Sequence, residues 1–225
     1  MRLRCLATDY DGTLAESGRV VPATRAAIER LARGGFKTIL VTGRLLADIH
    51  RVFPEVARFD RIVAENGAVL HTPRTGETRL LVDPPPPEFI GQLERHGVSS
   101  LYVGRVIVAM RDEYRAGVQA AIAASGLPLE IIVNKTALMV LPRGVDKATG
   151  MSAGLADLGI APAETVGVGD AENDAALLAA CGAGVAVANA TAQLKAQANW
   201  VTPSPSGQGI IELVDQLLAH DALPS

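Results

Sequence analysis

The chain has 225 residues, of which 48% are hydrophobic and 20% are charged, and its formal net charge is −3. This length suits one large domain or a domain that carries a smaller one, and the slight acidity excludes a bulk attraction to nucleic acid or anionic lipid. Two cysteines fit a reducing compartment, and the sequence shows neither a signal segment nor a membrane span. We therefore expect a cytoplasmic protein, monomeric or homodimeric, without nucleic-acid or membrane partners.

The first predicted element is a short buried strand over residues 3–8, which ends at the acidic turn Asp9-Tyr10-Asp11-Gly12-Thr13. A helix over 22–33 follows, and then a strand over 37–41 that ends at Thr42-Gly43-Arg44. A helix over 45–53 and a strand over 61–64 lead to Glu65-Asn66-Gly67, which predicts a turn into a hairpin. Strands that alternate with helices are typical of a parallel sheet with right-handed crossovers.

The pattern changes at the proline run of residues 84–87, because proline continues neither a helix nor a central strand. The next elements are predicted in the order helix, strand, strand over 88–110, and the same order repeats over 113–141. Two such αββ units predict a small antiparallel α+β domain. We expect this αββαββ domain at residues 84–143, inserted into a core formed by residues 1–83 and 144–225.

Alternation resumes with a helix over 147–158, which begins at Lys147, and a strand over 165–168, which is followed by Gly169 and Asp170. Asn173 and Asp174 precede the next helix, which ends at residue 180. Short strands over 184–187 and 200–201 and helices over 190–198 and 209–220 complete the chain. The fold class is therefore predicted as α/β, with a doubly wound parallel-sheet core and one inserted α+β domain.

Polar side chains follow several strands of this predicted sheet at the points where the strands end. Because the carboxyl ends of parallel strands share one edge, Asp9, Asp11, Thr42 and Asp170 should converge there. Carboxylates repel each other unless a cation lies between them, and hard oxygen ligands suit Mg²⁺. A hydroxyl, backbone amides and a lysine beside that cation would bind a dianionic phosphate.

These motifs resemble those of the haloacid dehalogenase superfamily of phosphatases. Four motifs occur in order: DxDGT at Asp9, Asp11, Gly12 and Thr13, a threonine at Thr42, a lysine at Lys147, and GDxxND at Gly169, Asp170, Asn173 and Asp174. The position of the insert, between Thr42 and Lys147, resembles the type-two cap of the Cof-like phosphatases. Its short αββαββ form is similar to that of the archaeal-type phosphoglycolate phosphatases.

The resemblance implies a Mg²⁺-dependent phosphomonoester hydrolase for a small phosphorylated metabolite, such as phosphoglycolate or a sugar phosphate. Asp9 would attack phosphorus to form an aspartyl-phosphate, and Asp11 would act as acid and then as base. The implied Mg²⁺ set is Asp9, the carbonyl of Asp11, Asp170, and Asp174 as a ligand or as support for the ligands. The implied phosphate set is Thr42, Gly43, Lys147 and Asn173.

The sequence leaves three alternatives open. A phosphomutase of similar fold would use the same residues and return the phosphate to its substrate. A phospho-accepting receiver module shares the aspartates, Thr, Lys and Mg²⁺, but it accepts phosphate after its third strand, where this chain has Glu65-Asn66. Arg44, Asn134 and Lys135 are candidate substrate contacts, with a solvated surface position as the alternative for each.

Overall fold

A computed structural model describes residues 2–134 and 137–220, and this part of the chain contains twelve strands and eight α-helices. The elements up to the second sheet are β1 (Cys5–Thr8), α1 (Pro22–Arg33), β2 (Lys37–Val41), α2 (Leu46–Val52), β3 (Arg61–Ala64), β4 (Val69–Thr72) and β5 (Glu77–Leu80). The second sheet and its helices are α3 (Glu88–Arg95), β6 (Tyr102–Val103), β7 (Val108–Arg111), α4 (Arg115–Ser125), β8 (Leu129–Asn134) and β9 (Ala137–Pro142). The remaining elements are α5 (Lys147–Leu158), β10 (Thr165–Gly169), α6 (Ala175–Ala180), β11 (Ala183–Ala186), α7 (Ala192–Gln197), β12 (Trp200–Val201) and α8 (Ser206–His220).

The larger sheet has eight strands in the order β12-β11-β10-β1-β2-β3-β4-β5. All pairs from β12 to β3 are parallel, whereas β4 and β5 form the predicted antiparallel hairpin at one edge. The carboxyl ends of β10, β1 and β2 are therefore neighbours on one edge of the sheet. The predicted doubly wound α/β core is confirmed.

Helices cover both faces of this sheet, which explains why its central strands are apolar throughout. Because successive side chains of a strand point to opposite faces, Leu6 joins the cluster that includes Leu31 of α1 and Ile210 of α8. Cys5 and Ala7 join the cluster on the opposite face, which contains residues of α5 and α6. Both cysteines are free thiols in the structure.

The second sheet has four antiparallel strands in the order β6-β7-β9-β8. Helices α3 and α4 contact each other, and Phe89, Leu93 and Val118 from them share an apolar cluster with Val140 of β9. The helix and strand order is the predicted αββαββ, so a parallel core with an additional antiparallel sheet is confirmed. The boundaries of that unit at residues 84 and 143 stay a prediction.

Several predicted elements match the structure to the residue, and the differences at other boundaries have local causes. Strand β7 begins at Val108, two residues later than predicted. The amides of Val106 and Ile107 donate to the carboxylate of Glu65, which lies outside the second sheet, and so they do not pair with a neighbouring strand. Helix α7 begins later than predicted because Thr191 caps it by accepting a hydrogen bond from the amide of Leu194. Within the described ranges, no helix has both the length and the apolar character needed to span a membrane.

Candidate active site

Three aspartates and one lysine meet at the carboxyl edge of the larger sheet. Asp9 follows β1, Asp170 follows β10, Asp174 closes the turn Glu172–Asp174, and Lys147 is the first residue of α5. One carboxylate oxygen from each aspartate lies within 4.8 Å of the other two. The exposed fraction of each of the four residues is 4% or less. The predicted convergence of Asp9 and Asp170 is therefore observed, with Asp174 beside them.

Lys147 lies between two of these carboxylates. Its Nζ donates to Oδ1 of Asp9 and to Oδ1 of Asp174, at 2.6 Å in each case. Its position follows from the start of α5, where Asp146 accepts a hydrogen bond from the amide of Thr149, and the hydroxyl of Thr149 accepts one from the amide of Asp146. This reciprocal capping fixes the first turn of the helix and directs Lys147 into the site.

The electrostatics of the cluster favour an additional cation. Burial opposes the charge of Lys147, but Asp174 and Asp9 outweigh that effect and raise the pKa of the lysine. Burial raises the pKa of Asp9, and Lys147 acts in the opposite direction. Three buried carboxylates beside one ammonium leave an excess of negative charge. An all-oxygen donor set with that excess suits Mg²⁺.

Asp174 is engaged through both carboxylate oxygens. Oδ1 accepts from Lys147, and Oδ2 accepts from the amides of Asp170 and Ala171 at 2.9 and 3.0 Å. Its Cβ would lie 2.4 Å from a Cβ placed on Gly169, so a glycine is needed for this close approach. Of the two roles that the resemblance leaves to Asp174, this geometry favours support of the loop and the lysine over direct binding of a metal.

Asp11 lies at the same edge but outside the buried cluster, with 38% of its side chain exposed. Both of its oxygens accept from the guanidinium of Arg44: Nε donates to Oδ2 at 2.6 Å and Nη2 to Oδ1 at 2.7 Å. The guanidinium carbon lies 5.2 Å from the ring centroid of Tyr10. The hydrogen bond to Asp11 raises the pKa of Arg44. Arg44 is thus a partner of the predicted acid and base rather than an isolated surface charge, a pairing that no short-range motif indicates.

The residues predicted to bind phosphate lie beside this cluster. Thr42 is buried, and its hydroxyl accepts a hydrogen bond from the amide of Arg44 at 3.1 Å. A Cβ on Gly43 would lie 3.9 Å from Nδ2 of Asn173, which brings the two predicted residues together. Nδ2 of Asn173 donates to Oδ1 of Asn66 at 3.1 Å, whereas its Oδ1 is buried and has no hydrogen-bond partner among the described residues. Asn66 therefore belongs to this site, although its sequence position indicated only a turn.

Asn134 and Lys135 are the other two candidate substrate contacts. Lys135 lies outside the described residues, and so does the side chain of Asn134, whose backbone ends β8. Their role as substrate contacts stays a prediction. Met139 of β9 also lies at the site, because its Sδ would lie 3.3 Å from a Cβ on Gly43.

Comparisons with known proteins agree with this fold and chemistry. A family model for haloacid dehalogenase-like hydrolases matches residues 6–86 and 129–214. A phosphoglycolate phosphatase of Archaeoglobus fulgidus is 30% identical over 218 residues, which cover 95% of this chain and 96% of that protein. A phosphoglycolate phosphatase of Haloarcula marismortui is 31% identical over 223 residues, covering 93% of this chain and 95% of that protein. The crystal structure of a haloacid dehalogenase-like hydrolase from Bacteroides thetaiotaomicron has the same fold, with a TM-score of 0.83 at 19% identity, over 96% of this chain and all of that one.

Proposed function

The chain belongs to the haloacid dehalogenase-like hydrolase family, and we propose that it is a Mg²⁺-dependent phosphomonoester hydrolase whose first candidate substrate is phosphoglycolate. The observation that carries this proposal is the buried cluster of Asp9, Lys147, Asp170 and Asp174 at one sheet edge. The choice of substrate is supported by the two archaeal relatives, which match this chain over nearly its whole length.

We infer that Asp9 is the nucleophile. A carboxylate oxygen of Asp9 would form a bond to phosphorus while the bond from phosphorus to the leaving oxygen breaks, giving an aspartyl-phosphate. Lys147, which holds Oδ1 of Asp9 at 2.6 Å, orients that carboxylate and offers positive charge to the phosphoryl group. Hydrolysis of the aspartyl-phosphate would return Asp9 to its carboxylate form and release inorganic phosphate.

Asp11 is the proposed acid and base. It would give a proton to the leaving alkoxide in the first step and take one from the attacking water in the second. Both oxygens of Asp11 accept hydrogen bonds from Arg44, so Arg44 has to shift before an oxygen of Asp11 can face the leaving oxygen or the attacking water. We propose that an anionic group of the substrate takes over the guanidinium, which makes Arg44 a substrate contact.

The remaining residues would hold the metal and the phosphoryl oxygens. Asp9, Asp170 and the carbonyl of Asp11 would hold Mg²⁺. The ion would offset the negative charges of these carboxylates and of the phosphoryl group. Asp174 would support this set through Lys147 and the loop after β10. The hydroxyl of Thr42, the amide of Gly43 and the side chains of Lys147 and Asn173 would bind the phosphoryl oxygens. The second sheet, for which we propose residues 84–143, would cover the site.

A phosphate-release screen over phosphorylated metabolites tests the proposal, with Mg²⁺ present and then removed by a chelator. We expect release from phosphoglycolate, loss of activity with the chelator, and recovery when Mg²⁺ is restored. A phosphorylated product that forms without free phosphate would instead indicate a mutase. No release from any substrate of the screen, or release that is independent of Mg²⁺, would overturn the proposed function.

A further inference from the structure

The turn Glu65–Gly67, between β3 and β4, has an unusual backbone. Its three residues have positive φ angles, of 53° at Glu65, 55° at Asn66 and 109° at Gly67. Glycine adopts such angles freely, but a glutamate rarely does, because its Cβ then approaches the following carbonyl oxygen. Residues in this region persist where their surroundings hold them, and they cluster at functional sites.

The side chain of Glu65 leaves the larger sheet and contacts the second one. Its carboxylate is 1% exposed and accepts three backbone hydrogen bonds: Oε1 from the amide of Arg105 at 3.0 Å, and Oε2 from those of Val106 and Ile107 at 2.8 and 3.1 Å. These residues lie in the turn that joins β6 to β7, which the amide of Gly104 closes by donating to the carbonyl of Ile107. Bonds to an ionised acceptor are strong, and a buried carboxylate needs them.

The same turn contacts the residues that would bind phosphate. The amide of Glu65 donates to the carbonyl of Arg44, and the amide of Asn66 donates to the carbonyl of Thr42, both at 3.0 Å. The side chain of Asn66 accepts from Asn173. At Gly67, a Cβ would lie 1.8 Å from the carbonyl oxygen of Asp146, the residue that caps the helix of Lys147. Three segments of the site are therefore in contact with this one turn: the 42–44 loop, Asn173 and the start of α5.

We propose that Glu65 is a positioning residue that couples the docking of the second sheet to the geometry of the phosphate site. When the 104–107 turn donates to its carboxylate, Glu65 and Asn66 are fixed, and they hold the 42–44 loop and Asn173. When that turn leaves, the buried carboxylate loses its donors and draws the backbone away from those positions. Glu65 acts through Asn66 and the backbone and does not touch the substrate. The coupling rests on the proposed function for the identity of the phosphate site and for its use in catalysis.

Hydrogen exchange at the amides of residues 105–107 tests the coupling without any substrate. In the Glu65→Gln variant we expect exchange at these amides to accelerate about tenfold or more, because a neutral carboxamide is a weaker acceptor. Glu65→Asp keeps the charge but is one methylene shorter, so we expect a smaller acceleration. Glu212→Gln is the matched control, since Glu212 of α8 accepts from the amide and hydroxyl of Ser204, which lies between β12 and α8.

A second arm adds inorganic phosphate with Mg²⁺, because coupling between two sites is reciprocal. Phosphate should slow exchange at 105–107 in the wild-type protein and in Glu212→Gln, and it should have little effect on these amides in Glu65→Gln. Unchanged basal exchange in Glu65→Gln would overturn the proposal, and so would equal protection by phosphate in the wild-type protein and the variant. A lack of phosphatase activity would count against the proposed function alone, since neither arm requires turnover.

Discussion

A buried cluster of charges lies at the carboxyl edge of the larger sheet, whereas the ion pairs that the structure describes within the second sheet lie at its surface. At the carboxyl edge of the larger sheet, Asp9, Lys147 and Asp174 are at least 96% buried, and Lys147 donates a hydrogen bond to each aspartate. In the second sheet, Arg111 pairs with Glu113 at the surface with 68% of the arginine side chain exposed, and edge strand β6 leaves Tyr102 65% exposed. Buried charges that are hydrogen-bonded to each other are held in fixed positions and can stabilise charge that develops during a reaction. The interactions of exposed charges are screened by water and salt.

The difference indicates a division of labour between the sheets. The larger sheet supplies the proposed reactive groups, and the contacts of the second sheet near them include the backbone amides of residues 105–107 and the side chain of Met139. Four pairs of variants test this division between the two sheets.

Removal of the nucleophile should have the largest effect. Asp9→Asn should lower kcat by about 10⁴-fold or more, because an amide does not attack phosphorus. Steady-state phosphate release measures this loss. Asp48→Asn is the matched control, since Asp48 forms a surface pair with Arg51, and it should retain full activity. Comparable activity in the two variants would remove Asp9 from its proposed role.

The contrast between buried and exposed charge can be measured within the larger sheet itself. Lys147→Met leaves buried carboxylates uncompensated and should lower the free energy of unfolding by about 3–5 kcal/mol in urea titrations without Mg²⁺. Lys37→Met breaks an exposed pair with Asp60 of similar length, 2.8 Å, and should cost about 1 kcal/mol or less. Equal losses of unfolding free energy in the two variants would show that burial does not make the carboxylates of the cluster depend on Lys147.

Metal binding should stabilise the larger sheet through its acidic cluster. At a concentration about 100 times its Kd, Mg²⁺ should raise the free energy of unfolding by about 2.7 kcal/mol, because it binds the folded state alone. Asp170→Asn should abolish this stabilisation, whereas Glu113→Gln, which neutralises an exposed acid of the second sheet, should leave it intact. Mg²⁺-dependent thermal unfolding of the three proteins measures the effect. Stabilisation that survives in Asp170→Asn would place the metal elsewhere.

The smallest effect is expected where the second sheet meets the first. A Cβ on Gly104 would lie 2.5 Å from Oε2 of Glu65, so Gly104→Ala should displace the turn and lower kcat/KM about tenfold. In Gly91→Ala, the added methyl meets the flexible end of Arg95, and activity should be unchanged. The ratio of kcat/KM values for these two variants tests whether docking of the second sheet matters for catalysis.

The sequence predicted the elements and the convergence at the sheet edge because local signals determine them. Helices α1 and α5 begin and end where proline, capping residues and glycine predict, and strands β2, β3 and β12 also match to the residue. The order of strand ends then brings Asp9 and Asp170 together through the topology of a parallel sheet.

The pairings of individual side chains were not predictable in the same way. The bond between Arg44 and Asp11, the three amides on Glu65 and the contact between Asn66 and Asn173 join residues far apart in sequence. Asn-Gly at 66–67 signals a turn, but it does not indicate where the glutamate before it will point. Each of these contacts depends on how tertiary packing orients a side chain.

Covalent trapping tests the central claim, that Asp9 accepts the phosphoryl group, most directly. The reaction with phosphoglycolate radiolabelled in its phosphoryl group is quenched with acid during turnover, and the protein is digested and its peptides separated. We expect the label on the peptide that contains Asp9, in the wild-type protein and in Asp48→Asn, and no label in Asp9→Asn. Label on another peptide, or label that persists in Asp9→Asn, would contradict the assignment.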